Sequence, residues 1–67
     1  MDLRELYEKV IEVSTCTGIK ITGDVIDFYP STGTCSGEDE IDIFPYNTNH
    51  IIRLKRSEIR QVKIVHS

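Results

Sequence analysis

Residues 18–29, Gly-Ile-Lys-Ile-Thr-Gly-Asp-Val-Ile-Asp-Phe-Tyr, form a strand-like run whose apolar residues do not keep to one parity. Side chains of a strand alternate between faces, so Ile19, Ile21, Val25 and Tyr29 fall on one side and Ile26 and Phe28 on the other. A bulge or glycine bend near Gly23 resolves the conflict, because a residue without a side chain lets a strand turn sharply. The run therefore predicts a long strand curled around a very small β-barrel. Ile19 and Ile21 are expected inside before the bend; after it the pattern allows either set to point inward and favours Val25 with Phe28, close to a second irregularity.

The flanking segments supply the other elements. Asp2 followed three residues later by Glu5 has the form of a capping box, and Leu3, Leu6, Tyr7 and Val10 follow at helical spacing. A helix over about residues 2–10 is expected. Two turns are too short to stand alone in water, so it must dock, and the open end of the barrel is the place for it. Ile11, Val13, Ser14, Thr15 and Thr17 read as a first strand ending in a turn at Gly18. Residues 30–37, rich in Ser, Thr and Gly, form a mobile connection ending in the acidic run Glu38-Asp39-Glu40. Ile41 and Ile43 alternate with Asp42 in a third strand that Pro45 closes, and residues 46–49 turn. Ile52 and Leu54 alternate with Arg53 and Lys55 in a fourth strand. Ser57 and Glu58 make a tight 3₁₀ corner before Ile59, and Val62 with Ile64, or Val65 if the register slips, forms the fifth strand. A short helix and five sequential strands within residues 11–66 describe a single, mainly β domain, a five-stranded antiparallel barrel of the SH3-like or OB kind. The one-turn corner before the last strand favours the SH3-like version.

Charge narrows the function classes. Residues 1–49 hold three Lys/Arg and ten Asp/Glu, while residues 50–67 hold five and one. The basic segment offers an anion-facing patch of Arg53, Lys55, Arg56, Arg60 and Lys63. The simpler reading is that the two halves pair, with Glu40 and Asp42 lying across from Arg53 and Lys55, because a dedicated nucleic-acid binder is usually basic as a whole. Enzyme chemistry finds no support. Cys16 and Cys35 lack C-x-x-C spacing and are too few for a zinc site, and His50 and His66 have no third ligand at metal spacing. Gly33 and Gly37 precede no Lys-Ser/Thr pair, and no serine sits in a nucleophile elbow. Glu38, Asp39, Glu40 and Asp42 lack the alternating spacing of a calcium loop and read as solvated loop charge. No metal and no cofactor are expected. No apolar run approaches the roughly 18 residues a bilayer span needs. The expectation is a cytoplasmic protein with two reduced thiols and no membrane contact.

The spacing of Gly18, Gly23 and Phe28 resembles the first signature of the Sm-like family, small RNA-associated barrels with an N-terminal helix and five strands. That signature reads Gly, four residues, Gly, four residues, aromatic, Asp, two residues, Asn. The second signature, aliphatic-Arg-Gly with two further aliphatics, is matched in its aliphatic places by Leu54, Ile59 and Val62. Tyr29 and Thr32 stand where the family has Asp and Asn, and Lys55-Arg56 stand where it has Arg-Gly. The resemblance thus implies the Sm-like fold, assembly through the fourth and fifth strands, and RNA as partner, without the family's uridine reading. Tyr29 remains able to stack on a base, and Arg53, Lys55 and Arg56 to meet phosphates. The sequence-based expectation is a non-catalytic binding module, a homo-oligomer that takes RNA or another polyanion at Tyr29, Arg53, Lys55 and Arg56. The alternative is a protein-interaction or structural module that docks on a protein partner and binds no nucleic acid.

Overall fold

The computed structural model describes residues 2–66. Five strands, β1 (Val10–Thr15), β2 (Lys20–Tyr29), β3 (Glu40–Pro45), β4 (Ile52–Lys55) and β5 (Ile59–His66), form one antiparallel sheet in the order β4-β3-β2-β1-β5. Short 3₁₀ turns lie at Leu3–Leu6, Ser31–Gly33 and Arg56–Glu58. The mainly β, five-stranded antiparallel class expected from the sequence is what the chain adopts.

One face of this sheet supplies nearly the whole core. Ile11 and Val13 of β1, Val25 of β2, Ile41 and Ile43 of β3, Leu54 of β4 and Ile59 of β5 are buried in one cluster with Leu3 and Leu6. A flat sheet covered by one short turn leaves much of such a face wet, so the sheet wraps around its own apolar side. The radius of gyration, 10.8 Å, is the value of about 11 Å expected for a compact chain of this length.

Two irregularities let β2 follow that curve. At Gly23, paired with Ile11 on one side and Pro45 on the other, a Cβ would fall on the Phe44 carbonyl oxygen and lie 2.7 Å from Pro45 Cα. The glycine is needed there for backbone approach rather than for an unusual dihedral. Between Val25 and Asp27 the register to β3 shifts, leaving Ile26 as an extra residue. That bulge puts Val25 and Phe28 on the same side, Val25 buried and Phe28 packed against the core.

Three expectations are corrected. The barrel does not close: β4 and β5 are the sheet edges, with no ladder between them. The four-residue β4 ends at Lys55, and the 3₁₀ corner carries the chain directly to β1, where Ile59 lies opposite Thr15. The N-terminal helix over 2–10 is only the 3₁₀ turn Leu3–Leu6, capped by the Asp2 carboxylate, which accepts from the Arg4 N–H at 3.0 Å. Beyond it Glu8 adopts φ +67°. The Glu8 N–H bonds to the Val25 carbonyl, and the Lys9 carbonyl accepts from the Val25 N–H, both at 2.9 Å. Joining β2 thus replaces a helix too short to hold itself. Finally, Ile19 is not inside. It lies in the turn before β2, 58% exposed, while Ile21 is half-buried and packs on the core.

Candidate functional site

Beyond the bulge, the outward positions of β2, β3 and β4 line up in two rows. Asp27 lies opposite Asp42 and Asp42 opposite Arg53; Tyr29 lies opposite Glu40 and Glu40 opposite Lys55. The fold therefore places Tyr29, Arg53 and Lys55 on one face, with Arg56 at the next position along the chain. The anticipated pairing of Glu40 and Asp42 with Lys55 and Arg53 is the observed register.

Side chains in the first row are closely joined. Arg53 donates from Nε to Asp42 Oδ1 at 2.8 Å and from Nη2 to Oδ2 at 3.2 Å, a two-point contact in which planar guanidinium matches planar carboxylate. The Tyr29 hydroxyl donates to Asp42 Oδ2 at 2.8 Å, with Asp27 Oδ2 a second acceptor at 3.2 Å. The Arg53 guanidinium lies over the Tyr29 ring, 4.3 Å from its centroid. Asp42, its side chain 11% exposed, is held below the usual carboxylate range, chiefly by the hydrogen bonds from Arg53. The carboxylates act in the opposite sense on their partners: the Asp42 hydrogen bond raises the Tyr29 hydroxyl, and Asp42 likewise raises the Arg53 guanidinium. Arg53 and one face of the Tyr29 ring are thus engaged within the sheet.

Lys55 and Arg56 stand at the corner between β4 and β5. The Lys55 N–H is accepted by Glu58 Oε1 at 2.9 Å, and the Arg56 N–H by the Asp39 carbonyl at 2.9 Å, so the corner is fixed through its backbone N–H groups, with Lys55 half-buried and Arg56 exposed. Among the described residues, Arg53–Asp42 is the one ion pair within 4 Å.

Opposite the corner, the β2–β3 connection is more ordered than its composition suggests. Ser31 N–H donates to Asp39 Oδ1 at 2.8 Å, the Thr34 hydroxyl to the Glu38 carbonyl at 2.8 Å, and the Ser36 hydroxyl to Glu40 Oε2 at 2.6 Å. Glu38 reaches across to Ser57, accepting its N–H at 2.8 Å and its hydroxyl at 3.1 Å. Those two bonds hold the Glu38 carboxyl below its ordinary range. Sequence reasoning placed Glu38 in solvent, and the partnership spans nineteen positions with no local signal. Asp27 was missed as a Tyr29 partner because the Ile26 bulge, which sets its facing, leaves only an ambiguous parity in the sequence.

Cys16 and Cys35 are unpaired and exposed. A cleft of about 420 Å³ opens between the β1–β2 turn and β4, lined by Ile19, Ile21, Pro45, Ile52 and Leu54 among others. No helix of the described residues is long and apolar enough to cross a membrane. No family model, no curated protein and no solved structure matches the chain.

Proposed function

We propose that this chain is a non-catalytic binding module of the Sm-like kind that assembles with copies of itself through β4 and β5 and holds a polyanion, best represented by single-stranded RNA, at Lys55 and Arg56. The observation that carries the reading is the open sheet. Two edge strands keep unpaired backbone groups, and apolar side chains remain on or beside them: Ile64 shares the inward parity of Val62 yet is 47% exposed, and Ile51 and Val65 are 54% exposed. An edge of that kind is a template for another strand. Joining β4 of one copy to β5 of the next satisfies both edges and repeats the Lys55–Arg56 corner in every copy, which is how a chain of net charge -3 gathers cations locally. The Gly23 bend and the five strands after a short N-terminal turn support the Sm-like part of the reading.

A second reading, a module that docks on a protein partner, is favoured by the Arg53–Asp42 contact, which neutralises the outward face. Salt dependence separates the two. For RNA held by phosphate contacts, log affinity falls against log salt with a slope of about -0.7 per contacted phosphate, whereas an apolar docking surface responds little. Replacing Lys55 and Arg56 together by Ala is expected to weaken binding of oligo-U and oligo-A alike and to flatten that slope by about 1.4. An unchanged slope and affinity would remove the corner from the RNA site.

A further inference from the structure

The Lys55–Arg56 corner is tied to the chain's own acidic loop. Glu38 spends both carboxylate oxygens on Ser57, one on its N–H and one on its hydroxyl, and the Asp39 carbonyl takes the Arg56 N–H. A phosphate has the same charge sign and the same appetite for N–H and O–H donors as a carboxylate, so the two compete wherever their positions overlap. We propose that Glu38 is an internal competitor, a latch that holds the β2–β3 loop against the corner and whose carboxylate an RNA phosphate seated beside Lys55 and Arg56 must displace from the Ser57 donors; this rests on the reading of that corner as the polyanion site.

The loop is built so that release costs little. None of residues 31–39 is buried, so lifting the loop takes no side chain out of the core. Gly37, immediately before Glu38, sits at φ +75°, a conformation from which glycine moves at small cost. Several of the remaining bonds are internal: Thr34 to Glu38, Ser36 to Glu40, Ser31 to Asp39. These travel with the loop or lie at its base. The contacts that tie it across to the corner are the two bonds of the Glu38 carboxylate to Ser57, both exposed, and the neutral backbone bond from the Arg56 N–H to the Asp39 carbonyl; water already competes for the exposed donors, so a multiply charged ligand is able to displace the carboxylate.

The test uses the full chain and fluorescent single-stranded oligo-U and oligo-A at one fixed salt concentration. It compares the natural protein with Glu38→Ala and with Asp24→Ala, which removes an exposed carboxylate elsewhere on β2. The latch predicts that Glu38→Ala tightens binding about five-fold, against less than about two-fold for Asp24→Ala. It also predicts that adding RNA to the natural protein speeds hydrogen exchange of the Ser57 amide. RNA binding by the natural protein with Glu38→Ala no tighter than Asp24→Ala would overturn the latch and leave the corner as the RNA site. Absence of RNA binding by the natural protein and by Glu38→Ala alike would overturn the reading of the corner, and the latch with it.

Discussion

Asp42 is the residue on which the outward face depends, since the Arg53 guanidinium and the Tyr29 hydroxyl both end on its carboxylate. Arg53 remains 55% exposed, so solvent screens the pair and it is worth much less than a dry ion pair. Asp42→Asn is expected to lower stability by about 1 kcal/mol at pH 7. Because the folded protein holds this carboxyl below its usual range, the contribution is complete above the ordinary carboxylate pKa of about 4 and is lost as pH falls through the lower folded-state value. Urea midpoints of the two proteins should therefore differ at pH 7 and converge toward pH 2; a gap that persists unchanged into acid would assign the effect to shape rather than charge. The pairing of Asp42 with Arg53 was legible in the sequence, because both alternate with core aliphatics and a short turn separates their strands. The engagement of Tyr29 was not, since it follows from an extra residue at Ile26 that simple alternation does not locate.

At the scale of elements, the bend in β2 carries the architecture. A methyl group at Gly23 meets backbone on β3, the Phe44 carbonyl and Pro45 Cα, and backbone cannot rotate away as a side chain can. Gly23→Ala is expected to cost about 2–4 kcal/mol, a large fraction of what so small a domain has. A lowered urea midpoint, or loss of a cooperative transition, is the expected result, and a cost below about 1 kcal/mol would mean that β2 and β3 do not approach so closely there. Strands β3, β4 and β5 and the 3₁₀ corner lie where alternation and turn residues put them, with Val65 as the extra residue between the His66 and Ile64 pairings. The N-terminal helix failed because helical spacing of Leu3, Leu6, Tyr7 and Val10 is a local signal, whereas the backbone bonds from Glu8 and Lys9 to Val25 are tertiary. The β2–β3 loop shows the same limit: its turn composition was visible, but its attachment to Ser57 depends on how the sheet curls.

The whole molecule is a self-wrapped sheet that stops short of closure. The strand pattern shows the number of strands and their succession along the chain, while closure depends on whether β4 is long enough to lie beside β5, which alternation does not measure. A chain of 67 residues buries only about 60% of its unfolded surface when alone, and here two edges with apolar neighbours add to the surface that self-association would cover. The most direct measurement is the mass in solution by light scattering behind size exclusion, over a range of concentrations, with and without short oligo-U and oligo-A. The account predicts a mass that is a fixed multiple of 7.7 kDa at all concentrations, co-eluting with both RNAs at low salt. A particle of single-chain mass that passes both RNAs by would contradict it.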